Sequence, residues 1–457
     1  MSTRDHDRAV TRRALIKWSL AAGAALGVGR SRILEVLERT AGKGVAEAAG
    51  NATMKRSVHL RAVEGGLAWF QLLWPHNDIA IARDTNDRIP FHLPGDHTAV
   101  RGTGGTLTLC ADTPFAALPP ERQVTAFMAG SNEAHTSKPR TIARALNGNS
   151  MFAIAAVLQR DNPAVVPVIA VGDSEYGDAP GSPAAAVVPT GADIVGLFNS
   201  AASRAGSLLA TTSHADLYRA QYATLAALNR AADRSTTKLA YATGRSAARF
   251  LGTNLAAQLT VQPADEQRYG IDSAMRREVA ELGRTLIVVA KAFQLGLTSS
   301  VIVPVLRDDP HQAFNDLAAL RVTTTGLKKV LDGFLADLAS RTDGVTGARL
   351  SDDLVMTIDG DTPKTPLDRN NWLDDTPANT NWMYVLGGGK LKTGWFGGVD
   401  RTGATTGFDP ATGAPKVYDG DVQAKAACAA VAYAIARGST RAVQDFSRMD
   451  ITGIIAA

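Results

Sequence analysis

The stretch SSVIVPVLRDDPHQ, Ser299–Gln312, decides how the rest of this chain is read. It opens as an uninterrupted apolar run, Val301 to Leu306, with no polar alternation. A short run of that kind reads as a strand buried on both faces, which a parallel sheet covered by helices requires. The run then breaks into Asp309 and His311, two residues apart and just past the strand's carboxyl end. Open α/β sheets place their ligands at that end. A carboxylate beside an imidazole suits zinc, manganese or iron.

Similar runs recur on either side. SVHLRAV (57–63), TLTLCAD (106–112), VTAFMAG (124–130), VVPVIAVG (165–172), DDLVMTID (352–359) and NWMYVLGG (381–388) all read as strands. Helical spacing appears between them, over 139–160, 272–296, 324–341 and 421–438. Strand and helix in alternation predict an α/β fold with a mostly parallel central sheet flanked by helices. From 192 to 259 the chain turns Ala-, Leu- and Arg-rich, and this segment reads as a helical insertion in a domain spanning 57–445.

Acids gather again after the strand at 352–359. MTIDGDTPKTPLDRNNW, Met356–Trp372, holds Asp359, Asp361 and Asp368 among glycine and prolines. Such a set of oxygens favours Mg²⁺, Ca²⁺ or Mn²⁺ over zinc. The same residues in a Gly/Pro loop also cap and turn the backbone. His135, Thr136 and Ser137 lie in EAHTSKP, between a strand and a helix. Thr136 and Ser137 read equally as helix caps. His92 and His97 share one loop, and Asn77 and Asp78 follow the first strand; these are thinner candidates. Trp372, Trp382 and Trp395 read as packing residues, and LGGGKLKTGWFGG lacks phosphate-loop spacing and reads as a tight turn before an edge hairpin.

With 457 residues the chain is long enough for one large elaborated domain, and its formal net charge of +4 marks out no nucleic-acid or membrane patch. Arg12 and Arg13 precede WSLAAGAALGVG. That pairing of a basic segment with a weakly apolar one is a twin-arginine export signal, expected over 1–48, with Ala48 as the candidate cleavage point. The apolar part is shorter than the roughly 20 residues a stable membrane span needs. The expected address is periplasmic or secreted, with the twin-arginine translocase as a transient partner. Export permits a disulfide between Cys110 and Cys428; two buried thiols fit the sequence equally well.

In order and spacing, VIVPVLRDDPHQ, LKKVLDGFLADLASRTDG, LSDDLVMTIDGDTPKTPLDRNNW and NWMYVLGGGKLKTGWFGGVD together resemble domain of unknown function family 1501. That family consists of exported bacterial proteins of the alkaline-phosphatase-like superfamily. The resemblance runs from about Ser57 to Gly438 and takes in EGGLAWFQLLWP and AGSNEAHTSKP. It implies an alkaline-phosphatase-like fold and a metal-dependent hydrolase of phosphate or sulfate esters. Asp309 and His311 match the family's Asp and His, with Asp359, Asp361 and His135 as further candidate metal ligands. Thr136 or Ser137 would stand at the nucleophile's position before a helix. The departures are specific. Ile358 stands where the family has Glu, Asp361 where it has Arg, and Asn370 and Asn371 where it has Asp and His. Thr357, Gly360, Thr362, Pro363 and Trp372 are kept. These losses would weaken a two-metal site, and they open an alternative: a catalytically degenerate member that binds a periplasmic or surface partner.

Overall fold

The computed structural model of the chain describes residues 55–62, 73–76, 78, 97–101, 105–131, 145–162, 164–172, 174–198, 247, 250, 253–306, 316–344, 347–360, 380–400 and 404–456. At its centre lies an eight-stranded sheet. Its strands are β1 (Arg56–Ala62), β4 (Thr125–Met128), β5 (Val168–Val171), β6 (Ala186–Val188), β7 (Ser300–Pro304), β8 (Leu354–Gly360), β9 (Trp382–Leu386) and β10 (Gly394–Phe396). They lie in the order β10-β4-β9-β8-β1-β7-β5-β6. All run parallel except β9, which is antiparallel to both β8 and β4. The chain is therefore α/β with a mostly parallel sheet, as the apolar runs predict.

The pleat divides the core in two. Val58, Leu60, Val301, Val303, Met356 and Ile358 face one apolar cluster. That face is covered by α5 (Arg277–Leu295) and α6 (Leu317–Ser340), which pack against each other. Phe127, Ile302, Val355, Met383 and Val385 face the other cluster. It is covered by α1 (Met151–Leu158) and the alanine-rich α7 (Gly420–Ile435). Small side chains let α7 lie close to the sheet, and about 25 cal/mol per Å² of apolar surface removed from water drives both layers together. The shorter α2 (Asp193–Phe198), α3 (Leu255–Leu259), α4 (Pro263–Arg268) and α8 (Thr440–Phe446) complete the helices described. No helix among the described residues is long and apolar enough to cross a membrane.

Several boundaries differ from the sequence expectation, each for a local reason. TLTLCAD yields β3 (Thr106–Cys110), which pairs antiparallel with β2 (His97–Arg101) in a separate two-stranded sheet. Its mixed burial, with Thr106 and Leu109 half-buried, is that of a hairpin strand, not of a central strand covered on both faces. Leu350–Asp353 form a 3-10 turn, so the strand expected from Asp352 begins at Leu354. The helix expected from Thr324 begins at Leu317, because Asp316 accepts from the Ala318 and Ala319 amides and caps it. The helix expected over 272–296 begins at Arg277, and Asp272 instead binds the Ala274 and Met275 amides in a turn. Its end is as predicted, at Gly296 in the left-handed region with φ 67°. After the turn at 387–390, β10 joins the edge of the main sheet, while β11 (Gly398–Val399), β12 (Thr405–Phe408) and β13 (Pro415–Lys416) form a small antiparallel sheet. Of the insertion expected over 192–259, α2, α3 and Ala247 are helical, and most of the remainder lies outside the described residues. Cys110 is buried in the first apolar cluster and Cys428 in the second.

Candidate functional site at the carboxyl rim

Strand direction brings the carboxyl ends of four strands to one edge. β1, β4, β7 and β8 are parallel, so Ala62, Met128, Pro304 and Gly360 all end on the same rim. From these ends the chain runs on toward His135, Thr136 and Ser137 after β4, Asp309 and His311 after β7, and Asp361 after β8. Those six residues lie outside the described residues. Of the predicted metal and catalytic residues, Asp359 is the one described, on β8 one residue before its end; of the thinner candidates, Asp78 is described and His97 begins β2 rather than lying in a loop.

Asp359 belongs to a buried polar column that the strand pattern builds. β1 reads RSVHLRA, and all seven residues are buried. The period of two sends Val58, Leu60 and Ala62 to the α5–α6 face. Ser57, His59 and Arg61 therefore point under α1 and α7. Across the β1–β8 ladder His59 stands opposite Thr357 and Arg61 opposite Asp359. His59 Nδ1 is 2.8 Å from Thr357 Oγ1. Arg61 Nε donates to Asp359 Oδ2 at 3.3 Å. At the amino end of the column the Ser57 hydroxyl lies within hydrogen-bond reach of Ser300 Oγ and Gln159 Oε1. Phe152 of α1 covers the column: its ring lies 4.9 Å from the His59 ring and 4.9 Å from the Arg61 guanidinium carbon.

The column is electrostatically tense. Burial pushes the Asp359 carboxyl up from its usual range, and the neighbouring Arg61 offsets only part of that. Burial, and next the Arg61 charge, depress His59 to about 3, so it is neutral at physiological pH. Burial and the nearby Asp359 push the Cys428 thiol up, which makes it an inert packing group. Around His59, Arg61 and Asp359 four buried atoms have no hydrogen-bond partner, His59 Nε2, Arg61 Nη1, Arg61 Nη2 and Asp359 Oδ1, and at the amino end of the column Gln159 Nε2 has none either.

A second set lies beside it, on the opposite face of the rim. Trp74, Trp382, Tyr384 and Trp395 form an aromatic floor, with Tyr384 4.7 Å from Trp74, 5.2 Å from Trp382 and 5.8 Å from Trp395. Trp382 and Trp395 are thus packing residues, as the sequence suggests; Trp372 lies outside the described residues. Half-buried His76 sits edge-on to Trp395 at 5.6 Å, and its Nδ1 accepts the Asp78 amide at 3.3 Å. Burial lowers its affinity for a proton, and the Asp78 and Asp400 carboxylates work against that. Gly360 is where the two sets meet, since a Cβ there would lie 2.2 Å from the Trp382 ring.

Sequence reasoning missed His59, Arg61 and His76. The first two had a signal: alternating polar residues in a strand whose neighbours demand burial on both faces. His76 had none beyond its place after the first strand.

Among the described residues no three His, Cys, Asp or Glu side chains come together as a group able to hold a metal. Asp359, the described candidate ligand, is already engaged by Arg61. No family model, curated protein or solved structure matches this chain.

Proposed function

We propose that this chain is an exported alkaline-phosphatase-like protein, related to family 1501, whose ester-hydrolysing site is degenerate and whose carboxyl rim serves as a binding site for a periplasmic or surface ligand. The observation that carries this is the orientation of Ile358 and Asp359. Ile358, at the family's Glu position, is packed into the α5–α6 cluster. Asp359 points to the opposite face and is spent on Arg61. Adjacent residues of a strand face opposite ways, so the retained carboxylate cannot stand in for the missing one. The test is elemental analysis of the purified, folded protein together with phosphatase and sulfatase panels. Absence of bound metal and silent panels are expected. One or two equivalents of metal, lost in His311→Ala, would overturn the reading.

That second outcome belongs to the runner-up, a metal-dependent hydrolase of phosphate or sulfate esters. The observation favouring it is the shared rim, from which the segments bearing Asp309, His311, Asp361, His135, Thr136 and Ser137 all depart. A divalent ion held by those residues would supply Lewis-acid polarisation of the ester oxygen.

A further inference from the structure

We propose that Arg61 and His59 form a buried oxyanion site beneath the carboxyl rim, taking the phosphate, sulfate or carboxylate head group of the ligand. Arg61 is fully buried. One face of its guanidinium is stacked on Phe152 and its Nε is held by Asp359. That side-on contact leaves the two terminal nitrogens, the edge that grips an oxyanion bidentately, without a partner. Buried donors in native proteins are nearly always met, by protein, water or ligand. His59 adds a third unmet nitrogen on the same face of β1. When the Thr357 hydroxyl donates to Nδ1, the proton sits on Nε2 and His59 becomes a donor as well.

Asp359 completes the arrangement. Its Oδ2 takes the Arg61 Nε at 3.3 Å while its Oδ1 has no partner, so its hold on the guanidinium is partial and an anion has only that contact to compete with. Arg56, five residues earlier on the same strand, shows the closed alternative. Its Nη2 donates to the Phe293 carbonyl at 2.9 Å and to Asp343.

The inference rests on the reading that the carboxyl rim is the working side, but the two fail separately: metal and ester assays probe the rim chemistry, anion titration the buried site. The experiment is calorimetric titration of the full chain with inorganic phosphate, sulfate and acetate in turn. Saturable binding of at least one is expected. The tetrahedral anions binding above acetate would indicate a phosphoryl or sulfuryl head group, and the reverse a carboxylate. Arg61→Lys keeps the charge but lacks the fork, and should weaken binding about tenfold or more. Asp359→Asn removes the competing carboxylate and should tighten it severalfold, whereas an ion pair kept for structure alone predicts no tightening. Should Arg61→Lys fail to fold by circular dichroism, His59→Gln and Asp359→Asn carry the test. No saturable binding by the wild type, unchanged binding in folded Arg61→Lys, or weakened binding in Asp359→Asn would each overturn the proposal.

Discussion

Arg56 and Arg61 stand on the same strand, both fully buried, each beside a buried aspartate, and they are treated in opposite ways. Arg56, at the amino end, pairs with Asp343, donates to a helix carbonyl and lies over the Phe293 ring at 5.6 Å. Around it the amino rim is knit further: Asp337 of α6 is held by Arg268, by Arg341 at 2.9 Å and by the Tyr269 hydroxyl at 3.2 Å, and Asp353 pairs with Arg437. Arg61, at the carboxyl end, has one long ion-pair contact and two idle nitrogens. Arg56 is thus met by a carboxylate and a carbonyl, and Arg61 by a carboxylate alone. Arg61 lies toward the end at which parallel sheets bind ligands.

The largest expected effect sharpens that contrast from the amino side. Arg56→Met leaves Asp343 buried without its cation, and should cost about 3–5 kcal/mol in denaturant unfolding. Next comes Gly360→Ala, where the added methyl collides with the fully buried Trp382 ring. Overpacking of this kind should cost about 1–3 kcal/mol, and a smaller loss would mean that the aromatic floor is looser than its contacts suggest.

His59 supplies a pH signature at the carboxyl end alone. Its folded value, about 3, lies below the ordinary 6.5, so its contribution is present above pH 6.5 and is lost as pH falls toward 3. Between pH 7 and pH 5 the chain should lose about 2 kcal/mol of stability through this residue. His59→Gln should flatten that part of the pH profile, and an unchanged slope would show that His59 is not kept neutral.

The layered α/β architecture was legible because buried parallel strands leave an unmistakable apolar run, as in Val301–Val303 and Leu354–Met356. Helix starts were less legible. They are set by side-chain caps such as Asp316, which outrank the apolar periodicity used to find them. β3 misled because a hairpin strand and a central strand share the same residue types and differ in what covers them. At the site, Asp359 was found from its loop composition, yet its partner Arg61 lies 298 positions earlier and meets it only through strand pairing. A single sequence names the acid but not the neighbour that decides its chemistry.

The smallest expected effect is the one that bears hardest on the account. Arg61→Met/Asp359→Leu replaces the carboxyl-end pair by apolar residues, and Arg56→Met/Asp343→Leu does the same at the amino end while removing one of the two donors to the Phe293 carbonyl, which keeps the Gly296 amide. Unfolding midpoints of both should be compared with the wild type at pH 7. The carboxyl-end variant should stay within about 1 kcal/mol of the wild type or exceed it, and the amino-end variant should lose about 0.5–1.5 kcal/mol, the net worth of the one hydrogen bond removed. A loss of about 3 kcal/mol or more in Arg61→Met/Asp359→Leu would contradict the account, because it would make that pair a structural clamp like Arg56 and not a group held ready for a ligand.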